Sequence, residues 1–123
     1  MLAIHDPVQS VSTLSAQNGS SALCVTVVGE LDTLNVGRLT ERVVGALRQY
    51  GPAAIQLDLA EVSFIDVGAA VALRRLHARA ADSGCVLSVS AAQPIAWFVF
   101  NATGLSSIFA TPERYRLQSE PGS

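Results

Sequence analysis

Apolar positions along this chain change period several times, and each change marks an element. Val8, Val11, Thr13 and Leu14 alternate imperfectly with polar residues and are rich in β-branching, which predicts an edge strand over 8–15. Gln17-Asn18-Gly19-Ser20-Ser21 is a polar hairpin-turn signal. The almost continuous apolar run from Ala22 to Val28 predicts a strand covered on both faces, paired with the first as an antiparallel hairpin. Gly29-Glu30-Leu31-Asp32 then leaves this strand as a polar turn.

A helical period follows. Val36, Leu39, Val43, Ala46, Leu47 and Tyr50 recur at offsets of three and four and form one apolar stripe. Asn35 is placed to cap that helix, and Gly51-Pro52 stops it. Ala54 to Leu59 reads as a core strand, with Leu57 and Leu59 facing one way and Gln56 and Asp58 the other. Ala60-Glu61 predicts a turn, and Val62-Ser63-Phe64-Ile65 a brief apolar extension. Asp66 stands where an N-cap belongs, and a helix from Val67 to about Ser83 carries the stripe Ala69, Ala70, Leu73, Leu76 and Ala80, ended by Gly84.

Cys85 to Ser90 predicts the next strand, and Pro94 opens a helix through Asn101 that Gly104 stops. Trp97, Phe98 and Phe100 are too closely spaced to share one face of that helix, so one aromatic is expected at the surface. Ser107-Ile108-Phe109 is read as a short further edge strand. The order β-β-α-β-α-β-α calls for a single α/β domain over 8–117. Its mixed central sheet would have four to five strands packed with helices, and a flexible tail would occupy 118–123.

Composition narrows the function classes. The chain has 123 residues, half of them hydrophobic and 15% charged, enough for one packed core and unlike a disordered segment. A net charge of −2 and eight scattered basic residues argue against a nucleic-acid surface. No run approaches the ~18 apolar residues a membrane span needs. The first seven residues lack a signal-peptide pattern, so a soluble, cytoplasmic protein is expected, with no membrane insertion. Cys24 and Cys85 lie in apolar runs and read as buried thiols; a bridge would need their strands suitably adjacent. His5 and His77 have no evident catalytic companion. Phosphate-loop, dinucleotide and nucleophile-elbow motifs are missing, as are lysine and any metal-ligand spacing. The expectation is a non-enzymatic binding module with no cofactor and no metal.

Three segments, covering roughly residues 8–117 in one register, resemble the STAS domain of bacterial anti-sigma-factor antagonists. They are Gly29-Glu30-Leu31-Asp32, Leu57-Asp58-Leu59 followed by Val62-Ser63-Phe64-Ile65-Asp66, and the closing Thr103-Gly104-Leu105. The resemblance implies a STAS fold and a protein that binds an anti-sigma factor, in some cases a kinase, so promoting sigma-dependent transcription. In phosphoregulated members the matching Asp is followed by Ser-Ser-Gly-Leu-Gly or a Thr variant, whose first hydroxyl is phosphorylated. Here the positions hold Val67-Gly68-Ala69-Ala70-Val71, so Val67 stands at the phosphoacceptor position without a hydroxyl, and Ser63 is the nearest one. The partner-binding residues so implied are Glu30, Asp32, Thr33, Ser63, Asp66, Val67, Gly68 and Ala69. The alternatives are a STAS subunit of a lipid-transport ATPase complex or sensory scaffold, and a nucleotide- or small-ligand-binding STAS domain. A homodimer is compatible with any of these.

Overall fold

The structure is a computed structural model describing residues 6–15, 21–107 and 109. The element order is β1 (Val8–Ser15), β2 (Ser21–Leu31), α1 (Val36–Tyr50), β3 (Ala54–Ile65), α2 (Val67–Asp82), β4 (Val86–Ala92) and α3 (Pro94–Ala102). The strands form one mixed sheet in the order β1-β2-β3-β4. β1 runs antiparallel to β2, while β2, β3 and β4 are mutually parallel. This is the α/β architecture the periodicity predicts, with four strands. The turn expected at 17–20 and the tail at 118–123 lie outside the described residues.

The two crossovers, β2-α1-β3 and β3-α2-β4, step across the sheet in the same direction. Right-handed connection then puts α1 and α2 on the same face. Leu23, Val25 and Val27 of β2, Ile55, Leu57 and Leu59 of β3, and Leu87 and Val89 of β4 form the sheet's share of the core. Val36, Leu39, Val43 and Ala46 of α1 and Ala69, Ala70, Leu73, Leu76 and Ala80 of α2 meet them. Phe100 of α3 is fully buried and packs against Trp97 and Phe109. Phe98 is the aromatic left outside, 69% exposed.

Several local expectations change. β2 is not covered on both faces: Leu23, Val25 and Val27 are buried, whereas Cys24, Thr26 and Val28 between them are only half-buried. Nor does β2 end at Val28. It continues to Leu31 because β3 keeps pairing beside it, through irregularities between Thr26 and Val28 and between Gly29 and Glu30. The turn expected at Ala60-Glu61 is absent for the same reason; β3 is one strand of 12 residues. β4 begins at Val86 and extends to Ala92. Ser107 and Phe109 adopt turn conformation instead of an edge strand, although the Val89 N–H donates to the Phe109 carbonyl at 3.0 Å. Tyr50 is exposed at the end of the α1 stripe, where Gly51, at φ 53°, closes the helix by donating to the Leu47 carbonyl.

Both cysteines are free. Burial pushes the Cys24 thiol up, with the Asp58 charge adding to it and the Thr26 hydroxyl opposing. Burial likewise pushes Cys85 up to about 11 from an ordinary 9.0, with the Ile55 backbone opposing. Between those two values the unfolded chain has lost a proton that the folded chain keeps, so this thiol's contribution to stability declines as pH rises. Urea midpoints at about pH 8 and about pH 10.5 are expected to show such a decline, smaller in Cys85→Ala. An equal decline in the variant would remove Cys85 as its source.

Candidate functional site

The parallel register of β2 and β3 sets Glu30 against Phe64 and Leu31 against Ile65. Both strands therefore end side by side, and each feeds a helix from its C-terminal end, where open α/β sheets usually place their sites. The Asp66 N–H donates to the Leu31 carbonyl at 3.3 Å, which joins the two connections at their backbones.

Asp66 is the N-cap that the sequence predicts for α2. Its Oδ1 accepts from the Ala69 N–H at 2.7 Å, satisfying one of the helix's free donors. The same carboxylate reaches across to the other connection. Its Oδ2 accepts from the Thr33 N–H at 3.2 Å and from the Thr33 hydroxyl at 3.2 Å. One side chain thus holds two loops that are far apart in sequence.

The first connection is built differently from the expectation. Asn35 makes no side-chain cap to α1. Instead Asp32 Oδ1 accepts from the N–H groups of Leu34 and Asn35, both at 2.9 Å. The Asn35 side chain returns the bond, its Oδ1 accepting from the Asp32 N–H at 2.9 Å and its Nδ2 donating to the Glu30 carbonyl at 2.7 Å. This is a reciprocal Asp-x-x-Asn box of the capping-box kind, and that spacing was the signal in the sequence for it. It buries Asn35 and presents Thr33 and Leu34 outward.

The implied site residues therefore take distinct places. Thr33 and Asp66 are in contact, Asp32 holds its own loop, and Glu30 and Ser63 are exposed near the strand ends. Val67 is 60% exposed at the first position of α2. Gly68 is exposed and lies so close to Thr33 that a Cβ there would overlap the Thr33 hydroxyl. The Ala69 side chain points into the core, so its share in this site is its backbone N–H. Three residues not singled out from the sequence belong to the same end: Leu34 at 77% exposure, Phe64 at 45% and Val71 at 40%. Phe64 was concealed in an apolar run, and Val71 lies one turn beyond Val67.

The arrangement presents apolar side chains on a rigid, hydrogen-bonded rim, which suits protein contact. No group of three or more potential metal ligands occurs among the described residues. No helix among them is long and apolar enough to cross a membrane.

Asp66→Ala is expected to cost about 1–3 kcal/mol, from loss of the cap and of the Thr33 bonds. A loss below about 0.5 kcal/mol in chemical denaturation would show that the carboxylate holds neither loop. Gly68→Ala should force Thr33 to rotate off Asp66 while gaining helix propensity of about 1 kcal/mol. In a Thr33→Ala background the gain alone should remain, so the two substitutions are expected to couple by at least about 0.5 kcal/mol. Strict additivity would deny that the two residues touch.

The chain resembles the anti-sigma factor antagonist SpoIIAA in its unphosphorylated form at 21% identity, with a TM-score of 0.58, covering 80% of this chain and 84% of that one. The phosphorylated form of SpoIIAA, described as a Bacillus cell fate determinant, matches at 20% identity and a TM-score of 0.53, covering 80% and 86%. The murine Solute Carrier 26 family member A9 anion transporter matches at 18% identity and a TM-score of 0.59. Mglu matches at 16% identity and a TM-score of 0.59. This chain spans only 18% of that transporter's length and 21% of Mglu's, though 75% and 72% of its own residues are covered. These likenesses show a shared fold. No curated protein matches the chain in sequence. The sequence profile of the STAS domain, however, matches residues 13–119, most of the chain, and the protein belongs to the STAS domain family.

Proposed function

We propose that the protein is an anti-sigma-factor antagonist-like regulator. It binds a partner anti-sigma factor through the rim formed by the β2–α1 connection and the start of α2, and so promotes sigma-dependent transcription. It acts by binding and carries no catalysis of its own. The observation that carries the reading is Val67, 60% exposed at the first turn of a firmly capped helix, with Leu34 and Val71 also exposed at that end. Apolar side chains grouped at one end of a small domain are more than the scattered surface hydrophobes of an ordinary monomer. The likeness to SpoIIAA over four-fifths of both chains supports this kind of partner.

The physics of position 67 sets the mode of control. A phosphate at a helix N-terminus adds up to about two negative charges where the dipole is positive. Valine offers no oxygen to carry it. Binding is therefore constitutive, or governed by the amount of protein or by a different site. A second reading is a STAS unit working within a transport ATPase or sensory assembly. It is compatible with the matches in which the fold makes up about a fifth of a longer chain, one of them an anion transporter.

Pull-down from the native cell on the immobilised full chain, read by mass spectrometry, separates the readings. An anti-sigma factor is expected; recovery of a transport ATPase instead would favour the second. Val67→Asp should weaken the captured complex at least about tenfold, roughly 1.4 kcal/mol, while leaving the urea midpoint unchanged. Unaltered affinity would place the interface elsewhere. Incubation with a kinase-type partner and ATP is expected to leave residues 63–70 free of phosphate, and stoichiometric phosphate there would overturn constitutive binding.

A further inference from the structure

The exposed face of α2 changes chemistry along its length. Val67, Val71, Arg75 and Arg79 recur every fourth residue, so they form one row about 6 Å per step. All four are exposed, and Arg74 flanks them. The row is apolar in its first half and cationic in its second.

No carboxylate among the described residues explains the cationic half. The one ion pair among the described residues joins Arg42 to Asp6 at 3.9 Å, so Arg74, Arg75 and Arg79 meet no carboxylate of the described residues within 4.0 Å. Arg75 and Arg79, four apart, repel each other, which slightly weakens the helix. Arg79 benefits from the negative end of the helix dipole, but Arg74 and Arg75 lie before the last turn, where the effect has faded. Three of the chain's eight basic residues thus gather on one helix of a protein whose net charge is −2. Beside them, Thr40, Ala72, Arg75, Leu76 and Arg79 line a shallow groove of about 250 Å³ between α1 and α2. Ala72 and Leu76 make it partly apolar, and the two guanidinium groups supply the charge.

We propose that α2 is a docking ridge for an acidic, amphipathic helical segment of a protein partner. Apolar side chains of that segment lie on Val67 and Val71, and carboxylates four residues apart pair with Arg75 and Arg79, one of them over the groove. The proposal rests on the reading that the partner docks at the start of α2, and it adds the partner's chemistry and direction. The apolar end of the segment faces the Thr33–Asp66 tether and its acidic end faces the C-terminus of α2. The reverse direction would set carboxylates against Glu30 and Asp66. Guanidinium suits this role, since its fork pairs a carboxylate through two bonds. A nucleic acid fits less well, because three cations beside an apolar half do not neutralise a continuous phosphate backbone.

The test uses the ¹⁵N-labelled full chain and two synthetic helical peptides, identical except that glutamates four apart in one are lysines in the other. The glutamate peptide is expected to shift the amide signals of residues 67–79 and to bind at least tenfold more tightly than the lysine peptide. Raising salt should erode that preference, because exposed charges are screened. The Arg75→Glu/Arg79→Glu variant should reverse it. Equal binding of the two peptides, shifts confined to another face, or tighter binding of a DNA oligonucleotide would each overturn the proposal. Val67→Asp distinguishes the two levels of the argument. If it abolishes capture of the natural partner while Arg75→Glu/Arg79→Glu changes affinity less than twofold, the apolar rim stands and the acidic segment falls. If neither variant matters, both readings fail.

Discussion

The Asp66 carboxylate holds the functional end of this domain together. It accepts from the Ala69 N–H, the Thr33 N–H and the Thr33 hydroxyl, and so joins a helix start to a loop that precedes it by 33 residues. A carboxylate accepting several N–H and O–H bonds gains more than one in a single neutral bond, and the positive end of α2 adds to that. The geometry depends on the sheet beneath. Only because β2 and β3 pair as far as Leu31 and Ile65 do the two connections emerge within reach of one side chain. Core packing of Leu31 and Ile65 secures that pairing, so the rim inherits its rigidity from buried leucine and isoleucine.

That rigidity bears on binding. Association has to offset the ordering of loops and side chains at an interface, and a rim already fixed by hydrogen bonds loses less freedom on docking. Leu34 and Val67 are held outward by two different boxes, the Asp32–Asn35 reciprocal bonds and the Asp66 cap. Neither residue can retreat into the core, because Asn35, Val36 and Ala69 already occupy the inward positions. Their exposure is a consequence of the local hydrogen bonding and not of a loose loop.

Much of this was legible in the chain itself. The three- and four-residue spacing located α1 and α2, and Asp66 announced its helix. What escaped reading was longer in range. Gly29-Glu30-Leu31-Asp32 looked like a turn because its composition is that of a turn, yet β3 alongside keeps three of those residues in the sheet. Ala60-Glu61 misled in the same way, tertiary pairing overriding a local signal. Asn35 suits a cap by residue type, but its helical backbone angles leave Asp32 to accept the N–H bonds there. The bond between Thr33 and Asp66 has no local signature at all, for it exists only once the strands are in register.

Gly68 and Val67 serve the rim in different ways. A Cβ at position 68 would overlap the Thr33 hydroxyl, so a larger residue there would turn that hydroxyl away from Asp66 and leave only the Thr33 N–H bond. A glycine at 68 is therefore the condition for the side-chain part of the tether between the loops. Val67 beside it contributes an exposed apolar surface. A steric fit between Gly68 and Thr33 thus joins the β2–α1 connection to the start of the helix that carries Val67, Val71 and the arginines.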